Sequence, residues 1–405
     1  MKKKLISSFL SVSLILGIGV STNKIEATTS LKDLKGHWAE MTVKTAVEKG
    51  IITGYSDGTF KPDNSITRIE LITMLAKAVE KDYSQINVSF SDIPSTYWGL
   101  NHIKEAIAVG IIVPSELGGK LNPNEKLTRL EMATMIARAL QVNSDYQALL
   151  TQYKGLIPMD IPFTDWKKVE QKDVPSIAMT VGTGITNGVG NGSFGMSKTT
   201  TRGEAATMIS RFLQAVVKAP SDYRALVEFQ EVALTGTNAT TVSSLKPMQD
   251  HYANLKITDT TFNFTTKRVY ILPLHAKESV FMSKFVGDKN ELFKENSNYA
   301  DPKKIEAVVA TVGDMEFKTD GVYFSVYANK FSVAGFTAFV MGTPMDKYGL
   351  EYGRLGYNKV QLGSKGENKE MVMYGTYGIE TIGLDMQVSS PYQSISLFFN
   401  PNHNQ

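Results

Sequence analysis

Apolar residues recur at helical spacing in three similar stretches of the chain. The windows 71–79, 132–140 and 205–213 each place apolar side chains at spacings of three and four residues. A polar segment rich in glycine, asparagine and lysine precedes each window. The pattern predicts three amphipathic helices, each entered from a loop and each with one face buried.

A Thr-x-x-Glu pattern stands at the start of each predicted helix. The three pairs are Thr67 and Glu70, Thr128 and Glu131, and Thr201 and Glu204. In a capping box the Thr hydroxyl accepts from the third helical N–H, and the Glu carboxylate reaches back to the Thr N–H. The pattern therefore predicts three capped helix starts and assigns these six residues a structural role.

The capping boxes place an arginine at the first helical position of every copy. These are Arg68, Arg129 and Arg202. The first N–H groups of a helix have no partner within the helix, and together they favour an anion. A guanidinium beside them is interpreted as part of a receptor for an anionic group. The alternative is a set of surface ion pairs.

Each copy also has matching upstream parts. A short apolar helix pattern ends at Gly50, Gly110 or Gly184, where a left-handed residue can close the helix. Aromatic or leucine openings precede it, ending in Asp33, Asp92 and Asp165. The repeat length is about 60–70 residues, and internal repetition on this scale decides the architecture of the region.

The repeats resemble S-layer homology domains, which occur three in a row on cell-wall-attached proteins of Gram-positive bacteria. The family pattern is an F-x-D opening, a Trp-Ala helix start, a G-I-I-x-G-Y-x-D-G-x-F-x-P loop and a T-R-x-E helix start. Copy one matches nearly all of it, with Leu31 in place of Phe, and the resemblance covers roughly residues 31–223. It implies a mainly helical, pseudo-threefold unit with ligand grooves between neighbouring repeats.

The resemblance also implies a ligand, a pyruvylated N-acetylmannosamine at the end of a secondary cell-wall polysaccharide. Its carboxylate suits the three arginines, and its sugar face suits aromatic side chains. The remaining candidate ligand-binding residues are Trp38, Trp98, Tyr55, Asp57, Gly54, Gly188, Asp33, Asp92 and Asp165. Two alternatives stay open: the three opening aspartates fix turns, and the two tryptophans belong to the core.

The three copies depart unequally from the family pattern. Copy two lacks the Gly-Tyr pair of the loop, and copy three has Lys172 where a Trp is expected. Three equivalent sites are therefore not expected. Because copy one keeps the full loop, Arg68 is predicted to be the dominant binding residue.

The N-terminal 27 residues read as a signal peptide. Three lysines precede an apolar run from Leu5 to Val20, and a cleavage site is predicted after Ala27. A membrane anchor is the alternative, but the run falls short of the about 20 residues that a spanning helix needs. Cleavage removes the basic excess of the chain, which has 43 basic and 40 acidic residues. A neutral mature chain gives no reason to expect nucleic-acid binding.

The pattern changes after a predicted helix from Tyr223 to Ala233. Short β-branched and aromatic runs then follow, bounded by Gly, Asn, Asp and Lys clusters, and they predict strands. The clearest runs are 268–274, 322–327, 336–341 and 395–399, and 303–312 reads as either helix or strand. The predicted fold class is α+β and multidomain, with a sandwich-like C-terminal domain of about 7–9 strands.

The predicted domains are a signal peptide (1–27), three repeats (28–88, 89–160 and 161–223) and a β-rich domain (224–405). The chain has no cysteine, which excludes thiolate metal sites and thiol catalysis. His251, His275 and His403 show no metal-ligand spacing, so neither metal nor cofactor is expected. Carboxylates that could pair for glycoside hydrolysis are Asp314, Glu316, Asp320, Glu351 and Glu380.

The sequence favours a secreted, non-enzymatic protein of the cell wall or S-layer surface. Its repeats would bind pyruvylated secondary cell-wall polysaccharide, and its C-terminal domain would be displayed as a surface structural part, with other surface proteins as further partners. Two alternatives stay open: an anchored cell-wall hydrolase or glycosidase, and an adhesin or carbohydrate-binding module. No membrane association is expected once the signal is removed.

Overall fold

The computed structural model describes most of the chain from residue 31 onward. The described residues are 31–79, 82–83, 85–258, 260–275, 279–285, 305–320, 322–323, 332–334, 351–352, 361–378, 385–390 and 393–399. The predicted signal peptide and the predicted strand 336–341 lie outside them. No helix among the described residues is both long and apolar enough to cross a membrane.

Ten α-helices occur in the described residues. They are α1 (Glu40–Glu48), α2 (Arg68–Val79), α3 (Leu100–Val109), α4 (Arg129–Leu140), α5 (Ser144–Gln152), α6 (Val174–Gly182), α7 (Arg202–Ala215), α8 (Arg224–Thr235), α9 (Ala239–Val242) and α10 (Met282–Phe285). The three predicted capped helices are α2, α4 and α7. The predicted helix 223–233 is α8.

The chain divides into two compact units that interleave along the sequence. The first comprises Met1–Ser144 and Ser197–Ala219, and the second comprises Asp145–Met196 and Pro220–Gln405. The domains predicted from the sequence separate repeats from the β-rich part at residue 224. The structure instead groups residues 145–196, which include much of the third repeat, with the C-terminal part of the chain.

In the first unit, α2, α4 and α7 pack against one another, and the short helices α1 and α3 pack outside them, on α7 and α2 respectively. Three backbone hydrogen bonds close a ring just before the capped helices. Ile66 N donates to Thr200 O (2.9 Å), Thr200 N to Leu127 O (3.1 Å), and Leu127 N to Ile66 O (3.1 Å). Each repeat thus bonds to both of the others, which gives the pseudo-threefold arrangement.

The second unit contains the β-rich part of the chain. Its strands are β1 (Lys246–Pro247), β2 (Lys256–Thr258), β3 (Phe262–Pro273), β4 (Ile305–Phe317), β5 (Val322–Tyr323), β6 (Ser332–Ala334), β7 (Glu351–Tyr352), β8 (Gln361–Gly363), β9 (Asn368–Gly378), β10 (Asp385–Ser390) and β11 (Gln393–Phe399). They form sheets of order β2-β3-β4-β9-β7, β1-β11-β10-β6 and β5-β8. Residues 305–312 of the ambiguous segment 303–312 lie in β4, and the eleven described strands exceed the predicted 7–9.

The long strand β3 is buried on both faces. Val269 and Ile271 belong to an apolar core that also contains Leu397 and Phe398 of the other large sheet, as in a sandwich. Tyr270 points the opposite way and packs its ring against Phe281, with ring centroids 4.7 Å apart. A strand buried on both faces reads as a nearly continuous apolar run, and 269–274 has that composition.

Candidate functional site

Two of the three predicted helix starts have the complete expected cap, and the first has the half that its glutamate forms. Thr128 with Glu131 and Thr201 with Glu204 form complete capping boxes. In the first copy the Glu70 carboxylate accepts from Thr67 N at 2.9 Å and from the Thr67 hydroxyl at 2.9 Å. These contacts hold the arginine that follows each threonine at the first position of its helix.

The expectation of unpaired N–H groups beside the arginines is wrong. Arg68 N donates to Glu125 O (2.9 Å), Arg129 N to Lys198 O (2.9 Å), and Arg202 N to Asn64 O (2.8 Å). In every case the acceptor is a loop carbonyl of the neighbouring repeat. These N–H groups, which the sequence suggests are available to a ligand, instead bond to a neighbouring repeat.

The guanidinium of Arg68 is buried and multiply bonded. Its side chain is 8% exposed, and Nη1 donates to Leu121 O at 2.6 Å. Carboxylate oxygens of Glu125 and Glu131 lie 2.8 and 2.9 Å from its two terminal nitrogens. All three acceptors come from the second repeat, so Arg68 joins the first repeat to the second.

Arg202 repeats this arrangement with the first repeat as its partner. Its Nη1 lies 2.6 Å from Glu70 Oε1, and its Nε donates to Phe60 O at 2.8 Å. The guanidinium carbon also lies 4.6 Å from the ring centroids of both Tyr55 and Phe60. A planar guanidinium is well suited to such combined stacking and hydrogen bonding.

Arg129 completes the cycle. It is 7% exposed, and burial lowers the pKa of its guanidinium while the charge of Glu204 in the third repeat opposes that shift. Arg68 and Arg202 thus bind the capping glutamate of the second and of the first repeat, and the charge of the third repeat's capping glutamate acts on Arg129. The arginines are buried, so the alternative that they are surface ion pairs is also wrong.

Two of the capping glutamates consequently serve two helices each. Glu70 uses Oε2 for its own cap and Oε1 for Arg202. Glu131 uses Oε2 for Thr128 N and Oε1 for Arg68. The T-R-x-E sequence indicates the cap but carries no sign of this second partner, which comes from a different repeat.

Tyr55 belongs to the Arg202 cluster and not to a site around Arg68. Its hydroxyl donates to Glu70 Oε1 at 2.7 Å, and Lys61 Nζ lies 4.4 Å from its ring centroid. Burial, and then the hydrogen bond to Glu70, raise the pKa of Tyr55 to about 12. The ring remains 37% exposed, so this cluster reaches the surface.

Trp38 and Trp98 are among the most exposed large apolar side chains of the described residues, at 62% and 64%. The alternative that they belong to the core is therefore wrong. The ring of Trp38 lies 5.3 Å from that of His37, and the ring of Trp98 lies 5.8 Å from that of Tyr97. His37 in turn lies close to Gly203, the residue after Arg202.

The opening aspartates act as backbone clamps on the loops. Asp33 accepts from Phe60 N (2.8 Å) and Lys61 N (2.7 Å), and Asp92 accepts from Leu121 N (2.9 Å) and Asn122 N (2.7 Å). Asp165 accepts from Phe194 N and Gly195 N at 2.8 and 3.0 Å. Although partial burial acts in the other direction, these N–H donors lower the pKa of Asp33 and of Asp92. The geometry matches the turn-fixing alternative.

The remaining candidates also shape the loops. A Cβ added to Gly54 would lie 2.4 Å from the Leu31 side chain, and one added to Gly188 would lie 2.6 Å from Ser193 O. Asp57 Oδ1 accepts from the N–H of Thr59 at 3.0 Å and from its hydroxyl at 2.6 Å, and these contacts lower the pKa of Asp57. The glycines permit close packing between the loop and the opening segment.

Comparison with known proteins agrees with this architecture. The family model of the S-layer homology domain matches residues 30–72, 89–133 and 162–206. The chain therefore carries three tandem S-layer homology domains, and these place it among secreted proteins of the cell wall and S-layer surface.

The relatives differ in name and in how much of this chain they match. S-layer protein EA1 of Bacillus anthracis is 24% identical over 342 residues, covering 80% of this chain and 38% of the relative. Exoglucanase XynX of Acetivibrio thermocellus is 28% identical over 200 residues, covering 49% and 18%. The Cellulosome-anchoring protein of the same species is 37% identical over 83 residues, covering 20% and 19%. The chain thus spans well under half the length of these curated relatives.

Proposed function

We propose that the three repeats bind a pyruvylated secondary cell-wall polysaccharide and so anchor the protein non-covalently to the cell wall. The C-terminal domain is then a displayed, non-enzymatic part of the surface. The observation that carries this proposal is the cluster formed by Arg202, Tyr55 and Glu70, which joins the third repeat to the first and reaches the surface.

The cluster combines the groups that an acidic sugar requires. Arg202 supplies a guanidinium that is already held between two aromatic rings. His37 and the exposed Trp38 stand near the start of α7 and supply an aromatic surface for a sugar ring. A ligand carboxylate would take over part of the pairing of Arg202 with Glu70, which keeps the buried cation neutralised during binding.

This arrangement changes which arginine is expected to dominate. The full family loop of copy one contacts Arg202, whereas Arg68 contacts the degenerate loop of copy two. A charge-assisted contact contributes roughly 1.5–3 kcal/mol, so Arg202→Ala should weaken binding by about 10–150-fold. Arg68→Ala should weaken it less. Arg202→Lys should restore little, because lysine lacks the planar fork.

Calorimetric titration of the protein with purified wall polysaccharide, with and without its pyruvyl groups, tests this proposal. Trp38→Ala should weaken binding to both polymers, whereas Arg202→Ala should matter only for the pyruvylated one. The matched control is Arg138→Ala, which removes an exposed ion pair with Glu116 in the same unit. Equal affinity of the parent protein for the two polymers would refute the anion-receptor role.

A second candidate function is that of an anchored glycoside hydrolase, because one relative is named an exoglucanase. Among the predicted carboxylates, Asp314 binds Lys267 at 2.6 Å, and Glu370 on the adjacent strand binds the same lysine at 2.8 Å. The side chains of Glu351 and Glu380 lie outside the described residues. Clearing of purified cell walls in a zymogram would establish this function, and its absence together with wall binding would favour the display function.

A further inference from the structure

Within the second unit, a buried polar cluster joins the segment just before the third repeat to the C-terminal sheet. Asp160 is fully buried and accepts from Arg268 Nε (2.9 Å), Arg268 Nη2 (3.0 Å) and the Tyr270 hydroxyl (2.6 Å). Ile157 N donates to the same carboxylate at 2.7 Å. Asp160 lies just before the third opening motif, whereas Arg268 and Tyr270 lie on β3.

Two side chains of the C-terminal part also bind backbone carbonyl groups of residues 155–161. Arg268 Nη2 donates to Gly155 O at 2.8 Å, and Lys284 of α10 donates to Met159 O and to Ile161 O. Lys284 Nζ also lies 4.3 Å from the ring centroid of Trp166. Burial lowers the pKa of Lys284 to about 7, and the negative charge of Asp160 opposes that shift.

Residues 153–155 and helix α6 pack closely against α8. The Tyr153 hydroxyl donates to Leu226 O at 2.8 Å. A Cβ added to Gly155 would lie 2.2 Å from Ala233 O, and one added to Gly182 of α6 would lie 2.3 Å from the Leu226 side chain. Neither glycine position therefore has room for a side chain against α8.

We propose that residues 145–196, which include much of the third repeat, and the C-terminal sheet form one cooperative folding unit. Without that segment, β3 would hold Arg268 unpaired and would expose the face that carries Tyr270. Without the sheet, Asp160 would lose all of its side-chain donors. Leaving one member of a buried charge pair uncompensated is strongly destabilising. The displayed domain is therefore not a detachable cargo, and this inference is independent of the proposed polysaccharide ligand.

Native-state hydrogen exchange of the whole protein tests the proposal without any substitution. As denaturant is raised below the unfolding transition, amides of one cooperative unit converge on a common opening free energy. The slowest amides of α6 and those of β3 should converge in this way. Separate opening reactions for α6 and β3, with different denaturant dependence, would overturn the proposal.

A charge cycle gives an independent test. Asp160→Asn and Arg268→Met should each lower the melting temperature of the second unit by about 10 °C and should deprotect both 153–169 and β3. The double variant removes both charges and should recover much of the loss. Arg138→Gln, at an exposed pair, is the control and should change neither. Deprotection of 153–169 alone by Asp160→Asn would show two independent units.

Discussion

At the scale of the residue, the most informative side chain of the repeat unit is Glu70. Its carboxylate caps α2, binds Arg202 and accepts from Tyr55. The sequence predicted the cap because the Thr-x-x-Glu spacing is a local signal. The other two partners come from a loop 15 residues earlier and a helix 132 residues later, and no local pattern encodes them.

Glu70→Gln should therefore cost more than the loss of a cap. The amide can still accept hydrogen bonds, but it leaves the buried Arg202 without a counter-charge. We expect a loss of about 2 kcal/mol in the free energy of unfolding, measured by denaturant titration. Glu116→Gln, which breaks the exposed pair with Arg138, should cost under about 1 kcal/mol and is the control. Equal losses for the two variants would show that the Glu70–Arg202 pair contributes little.

Tyr55 gives a prediction about pH. Its pKa in the folded protein is raised to about 12 from an ordinary value of 10.0. Because the folded state favours the protonated phenol, its contribution to stability is present below pH 10 and is lost as pH rises towards 12. Tyr55→Phe should make the first unit less sensitive to pH over this window. Tyrosinate absorbance and thermal melts between pH 9 and 12 check this, and unchanged alkaline sensitivity in Tyr55→Phe would contradict it.

At the scale of the element, the glycines and aspartates of each repeat determine the shape of the loop between its short helix and its capped helix. From sequence alone these residues are expected to include ligand contacts, because glycine lets backbone approach a ligand. In the structure the aspartates bind loop N–H groups, and the glycines make room for the opening segment. The side chains that fill this space lie 23 to 25 residues earlier in the chain, beyond the reach of a turn signal.

Two glycines of the third loop provide a matched pair. Gly188 has a φ of 77°, and an added Cβ would lie 2.5 Å from the Phe163 ring. A Cβ on Gly190 would meet nothing within 4 Å. Gly188→Ala should destabilise the protein by about 1–3 kcal/mol, because the backbone and the ring must both shift. Gly190→Ala should be neutral or slightly stabilising in thermal melts, and equal melting temperatures would refute the packing role of Gly188.

At the scale of the whole molecule, repetition in the sequence correctly indicates three repeats. The family resemblance implies their pseudo-threefold helical arrangement, and short β-branched and aromatic runs indicate the β-rich region that follows. None of these signals indicates how the third repeat is divided. Its capped helix α7 packs in the first unit, whereas α6 and residues 153–169 pack with α8 and β3 in the second. This division depends on three charged residues that are isolated in the sequence and come together only in the fold: Asp160, Arg268 and Lys284.

This division predicts an unequal response to truncation. A chain of residues 28–233 keeps Arg202, Tyr55 and Glu70, which all lie in the first unit. It lacks β3 and α10, so Asp160 loses Arg268 and Tyr270, and the acceptors of Lys284 lose their donor. We therefore expect the truncated chain to sediment with cell walls while residues 145–196 exchange their amide hydrogens rapidly. The intact chain, measured in parallel, should show both wall binding and protection.

The two measurements on the truncated chain test different proposals. If the amides of α6 are as well protected from exchange as in the intact chain, residues 145–196 fold without the sheet, and the proposed cooperative unit is refuted. Loss of sedimentation despite a folded first unit would show instead that the Arg202 cluster is insufficient for anchoring. Adding Arg202→Ala to the truncated chain separates specific from residual binding. The clusters around Arg68 and Arg129 remain, so the variant should retain a weaker, pyruvyl-dependent attachment. Attachment that no longer depends on pyruvyl groups would show that Arg202 is the only anion receptor.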